Sequence, residues 1–146
     1  LDVKAVPSGS AEGTITNEAQ VIVAGERLRP YSPSNPRITK KSNGDLVISW
    51  VRRTRRNGYW LATSETVPLN EDLEAYDLLI LDAPATSTLR QVTVTSPSYT
   101  YTAAEQIADF ATLQTTLSFN VYQRSAIMGR GKALEPRGLK FDRVEP

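Results

Sequence analysis

Four carboxylates crowd into eight residues, NEDLEAYD at 70–77. Two acids held about 5 Å apart on a rigid cleft can cleave a glycosidic bond by a retaining route. Carboxylate oxygens gathered around a loop can hold calcium. The D-x-D-x-D-G spacing of a calcium loop is absent here, and the acids fall on a loop entering a strand. Solvated loop acids are the plain reading. GRGK at 129–132 offers backbone amides and two cations, as a phosphate cradle does, but lacks the Walker A spacing and a following helix. It reads as a turn between the last two strands. Serine and threonine are plentiful, yet the chain contains no histidine and no cysteine. Ser-His triads, thiol nucleophiles, thiolate metal sites and the usual general base are therefore excluded. No catalytic, cofactor-binding or metal-ligating residue is assigned, and the chain is expected not to be an enzyme.

A different chemistry is suggested by WVRRTRRNGYW at 50–60, where two tryptophans bracket four arginines. Nucleic-acid binding wants clustered arginines with aromatics for stacking. In an extended segment Arg52 and Thr54 share one face while Arg53 and Arg55 share the other, so no single basic stripe forms. Trp50 is expected in the core. Trp60 follows a turn beside Tyr59, where an arginine could stack on it. Two readings stay open. In one, the stretch is a solvated strand end whose arginines pair with the acidic 65–82 segment. In the other, Arg52, Arg53, Arg55, Arg56, Tyr59 and Trp60 form a contact surface for another protein or an anionic bacterial glycan.

What must position these residues is bounded by composition. A chain of 146 residues that is 40% hydrophobic can bury a core and is not a disordered tract. No apolar run is long enough to span a membrane. A chain opening LDVKAVPSGS, without Met or a leader, is expected to be a cut piece of something larger or a processed product. Net charge is +1, but it is laid down in blocks: residues 27–61 carry nine Lys or Arg against one acid, and residues 62–123 carry one Arg against eight acids. Such blocks steer charged partners, or neutralise each other across a sandwich.

Residues 1–26 are expected to be the tail or extension of a preceding β domain, with strand-like alternation at 13–24. RLRPYSPSNP at 27–36 holds three prolines and reads as a connector. Residues 37–146 form the main domain. Ile38 opens a strand, and SNGD at 42–45 supplies a hairpin turn. In DLVISWV, Leu46, Ile48 and Trp50 share one face. YDLLIL places Tyr76, Leu78 and Ile80 together, LRQVTVT is rich in β-branched residues, and Tyr99 and Tyr101 share a face that reads as core or inter-sheet. Thr102 followed by Glu105 is a capping-box signature. It predicts a short helix over 103–111 with Ala103, Ile107 and Phe110 on one face. TLSFNVYQRS returns to period two, joining Phe119 and Val121 to Trp50 and Tyr76 as core residues. GRG reads as a turn, and KALEPRGLKF as an edge strand interrupted by Pro136. About seven short strands with turn signals every 8 to 12 residues predict an all-β, immunoglobulin-like antiparallel sandwich with one short helical insert.

These motifs in order resemble a fibronectin type III domain. In that family a Trp ends the second strand, which Trp50 matches, and a core-facing Tyr begins the third, which Tyr76 matches. Leu117 departs from the pattern, standing where the family usually has the Tyr of the tyrosine corner. A narrower resemblance covers roughly residues 27–132. RLRPYSPSNPRI, SWVRRTR with GYW, PLNEDLEAYDLLIL, VTVTSPSYTYTAAEQIADF and VYQRSAIMGRG together look like the C-terminal region of tail hub proteins of long-tailed phages and gene transfer agents. That resemblance implies a non-catalytic tail-tip or baseplate module. Its place would be a virion or gene transfer agent particle, extracellular after release. Its partners would be other tail subunits and a bacterial surface glycan, without nucleic acid or membrane insertion. A glycosidase-like domain would lie elsewhere in the parent protein. A carbohydrate-binding module assisting a cell-wall hydrolase is the alternative.

Overall fold

The structure, a computed structural model, describes residues 28–55, 67–69 and 71–141 and the backbone of 143–145. The expected extension at 1–26 lies outside the described residues.

Nine strands and one helix follow in order among the described residues: β1 (Ser34–Lys41), β2 (Leu46–Val51), β3 (Tyr76–Leu81), β4 (Thr88–Val94), β5 (Ser98–Tyr101), α1 (Ala103–Phe110), β6 (Thr116–Ser125), β7 (Gly129–Leu134), β8 (Leu139–Lys140) and β9 (Arg143–Glu145). One sheet has the order β5-β2-β1-β9; the other has β4-β3-β6-β7, with β8 paired to β6 beyond the end of β7. Every pairing is antiparallel except β1 with β9.

Alternation builds the core between these sheets. Leu46, Ile48 and Trp50 of β2 are buried against Tyr76, Leu78 and Ile80 of β3, Leu117, Phe119 and Val121 of β6, and Ile38 and Tyr101. The Trp50 and Tyr76 rings meet edge to face, centroids 5.3 Å apart, the arrangement their quadrupoles favour. Each large apolar side chain buried this way contributes about 1.5–3 kcal/mol before the entropy of ordering is charged against it. Leu117, 2% exposed, is a plain core residue.

The expected turn at 42–45 forms. Gly44 adopts φ of 90°, and the Asn43 side chain accepts from the Asp45 amide. Helix α1 begins as the capping box predicts: Thr102 Oγ1 accepts from the Glu105 amide, and Glu105 accepts from the Thr102 amide.

Three expectations are corrected. The strand predicted to open at Ile38 begins at Ser34, inside the stretch read as a connector. Asn35 at φ 51° and a register shift between Ser34 and Arg37 accommodate Pro36, which has no amide to give. Pro30 and Pro33 are buried, and the Pro30 carbonyl accepts from the Lys132 amide, so this stretch lies against β7. GRG is not a turn. Gly129 to Gly131 open β7, and a Cβ on Gly131 would stand 2.5 Å from the Pro30 carbonyl oxygen, so only glycine lets the two backbones approach. KALEPRGLKF is interrupted around Pro136 as expected, into edge strand β7 and the short β8, and across the break the Phe119 amide donates to the Pro136 carbonyl. Lastly, the buried residue of α1 is Gln106, while Ile107 is 54% exposed. Gln106 faces inward together with Phe110, which packs on the core, and Gln106 Nε2 donates to the carbonyls of Gly44 and Tyr101.

Candidate interaction surface

The arginine-rich stretch leaves β2 directly after the buried Trp50. Arg52 turns back toward the acidic segment, its Nη1 2.8 Å from Glu74 Oε1 and its Nε donating to the Val67 carbonyl. Glu74 Oε1 also accepts from the Tyr76 hydroxyl at 2.9 Å. Burial first, then the neighbouring Glu74, pushes the Tyr76 phenol well above its ordinary range, so it serves as a neutral donor. Arg55 meets Glu71 through two parallel hydrogen bonds, Nε to Oε1 at 2.9 Å and Nη2 to Oε2 at 3.0 Å. That bidentate geometry is the strong form of the pair, and the Glu71 side chain is 4% exposed. Arg53 faces outward, with its guanidinium 5.3 Å from the centroid of exposed Tyr31. Arg56, Tyr59 and Trp60 lie outside the described residues.

The four acids of 70–77 are thereby dispersed. Glu71 belongs to Arg55, Glu74 to Arg52 and Tyr76, and Asp72 is exposed. Asp77 points the other way, onto the outer face of its sheet, to Thr93, Arg124 and Arg130. Among the described residues no three of His, Cys, Asp or Glu gather as a metal-ligand set. A shallow pocket of about 190 Å³ sits beside the Arg55–Glu71 pair, walled by Leu28, Ser125, Met128 and the 79%-exposed Ile127.

A second ionic cluster, between β4, β5 and α1, was not legible in the sequence. Arg90 points inward from β4. Its Nε and Nη2 donate to the two oxygens of Asp109 at 2.7 and 3.1 Å, and its Nη1 donates to Glu105 at 3.1 Å. The hydroxyls of Tyr99 and Tyr101 donate to Glu105 and Asp109. Burial works to raise both carboxyls, but hydrogen bonds together with the Arg90 charge outweigh it and hold them below the ordinary range. Burial, with Glu105 alongside, pushes the Tyr99 phenol up to about 12.

One sheet of β1, β2 and β5 faces another of β4, β3, β6 and β7. A Trp stands near the end of the second strand, and a fully buried Tyr opens the third. The fold is a fibronectin type III-like β-sandwich. No family model matches the chain, and no curated protein matches it. Among solved structures, the FN1–FN3 domains of chicken CNTN1 are similar at 18% identity and a TM-score of 0.48, over 81% of this chain and 35% of that one. A myokine structure is similar at 15% identity and a TM-score of 0.42, over 76% of this chain and 99% of that one. The chain thus spans about a third of the CNTN1 fragment. Helix α1 lies beside the edge strands β4 and β5, with Glu105 and Asp109 bonded to Arg90, Tyr99 and Tyr101.

Proposed function

We propose that this chain is a non-catalytic structural and interaction module of a phage or gene transfer agent tail-tip hub, positioning surfaces for tail assembly and host-cell attachment. The observation that carries the reading is the ordered series of motifs across residues 27–132, from RLRPYSPSNPRI to VYQRSAIMGRG. The site chemistry is compatible with it. Acids that would have to act as a catalytic pair are each committed to a separate arginine. The partners in this reading are other tail subunits, and the place is the particle tip, extracellular after release. A carbohydrate-binding module would need an open aromatic platform; the exposed ring of Tyr31 is faced by Arg53.

Antibody raised against the chain and applied to purified particles tests the proposal. Gold label confined to the tail tip is the expected result. A chain that sediments away from particles, with unlabelled tips, sinks it.

A further inference from the structure

The outer face of the β4-β3-β6-β7 sheet carries a charge arrangement that the tail-hub reading does not use. Arg124 of β6 and Arg130 of β7 are directly opposed cross-strand partners. Like charges in that position repel. Among the described residues one acid serves both, Asp77 of β3, whose side chain is 6% exposed. Both of its oxygens are engaged: Oδ1 accepts from Thr93 Oγ1 at 2.8 Å and Oδ2 accepts from Arg130 Nε at 2.6 Å. Arg124 is left 3.6 Å from Oδ1, beyond hydrogen-bond distance. Among the described residues Asp77 is its acidic neighbour, and its guanidinium makes no hydrogen bond. The Arg124 and Arg130 side chains are 44% and 39% exposed. Two guanidinia thus share one carboxylate among the described residues, leaving one positive charge in excess on partly exposed side chains.

We propose that this face docks a protein partner that presents an aspartate or glutamate to Arg124 and Arg130. Charge complementarity argues for the carboxylate: a second acid neutralises the cluster, relieves the cross-strand repulsion and meets the guanidinium forks in their preferred bidentate geometry. The surroundings argue for a protein rather than a sugar chain. The Tyr122 ring, which a sugar would stack upon, is covered by the Arg130 guanidinium 5.1 Å from its centroid. Next to it Gln91, Leu79 and Asn120 stand in cross-strand register, a mixed polar and apolar row such as protein partners cover. The proposal is independent of where the parent protein resides.

The test is titration of the full chain with hexa-L-glutamate, followed by amide and arginine Nε resonances. Shifts should concentrate on Thr93, Tyr122, Arg124 and Arg130. Arg124→Gln should weaken binding about fivefold, the scale of one exposed ion pair, and Arg124→Lys should recover part of it. Arg37→Gln, on the other sheet, should leave it unchanged. Because Arg130 keeps Asp77 paired in both Arg124 variants, the fold should stay intact by circular dichroism. The proposal is overturned by an absence of localised shifts, by equal weakening in Arg37→Gln, or by tighter binding of hexagalacturonate of the same charge. Self-association that disappears in Arg124→Gln would also overturn it, by making a second copy of the chain the occupant.

Discussion

Asp109→Ala should unfold the β4–α1–β5 side of the sandwich far more readily than a helix-end substitution ordinarily would. The carboxylate accepts from Arg90 at two oxygens and from the Tyr101 hydroxyl at 2.7 Å. Removing one partner of a buried ion pair costs about 3–5 kcal/mol. Here Arg90 is 26% exposed and Asp109 11%, and Glu105 remains as a second acid for Arg90, so solvent screening and the surviving contact cut that to about 2 kcal/mol. Stranding the buried Tyr101 hydroxyl adds about 1 kcal/mol. Against this, an acid in the last turn opposes the helix dipole, and its loss returns about 0.5 kcal/mol. The net is about 2–3 kcal/mol, read as a urea midpoint lowered by roughly 1 M at an m-value of about 2 kcal/mol/M. Folded-state values of Asp109 and Glu105 are depressed. Their contribution is therefore complete above the ordinary carboxylate range near pH 4, and it disappears as pH falls through the lowered folded values. The variant's deficit should accordingly shrink between pH 7 and pH 3. Arg90→Met with Asp109→Leu should recover part of the loss, because the Arg90 and Asp109 charges leave together while Glu105 keeps its hydrogen bonds from Tyr99 and Thr102. A single variant within about 0.5 kcal/mol of wild type, or a double variant as unstable as the two singles added, would refute the reasoning.

Other substitutions test separate features. Gln123 is fully buried, and among the described residues neither its amide nitrogen nor its side-chain oxygen has a partner, so Gln123→Met should stabilise by about 1 kcal/mol in urea unfolding. Gly131→Ala places a Cβ 2.5 Å from the Pro30 oxygen and 3.0 Å from the Gln123 oxygen. Backbone lies on both sides, and the expected cost is about 2 kcal/mol by thermal unfolding. Thr102→Ala removes the capping box and should cost about 1 kcal/mol, with hydrogen exchange accelerated first in α1.

The sandwich was legible because its central strands alternate cleanly: Leu46, Ile48 and Trp50, or Leu117, Phe119 and Val121, leave one orientation that buries them. The cap of α1 was legible because Thr102 and Glu105 act over three residues. What escaped the sequence depends on partners far along the chain. Arg90 and Asp109 are 19 residues apart, and Asp77 and Arg130 are 53 apart; no local pattern pairs them. Gly129 to Gly131 read as a turn because glycine marks turns and also close backbone approach, and only the position of Pro30 decides between these. Arg52 and Arg55 pair with acids as one of the two readings of their stretch anticipated. The other reading also involves Arg56, Tyr59 and Trp60, which lie outside the described residues.

The parallel pairing of β9 with β1 has a mechanical meaning. Thr39, Lys40 and Lys41 lie beside Arg143, Val144 and Glu145, so the first and last strands among the described residues run side by side in the same direction. Tension applied across residues 34 and 145 pulls these strands past each other along their length. The hydrogen bonds between them then bear the load together, in shear, rather than opening one at a time like a zip. A unit strung between two anchors in this way resists extension at its first point of yield, and the resistance resides in backbone pairing that surface substitutions leave untouched.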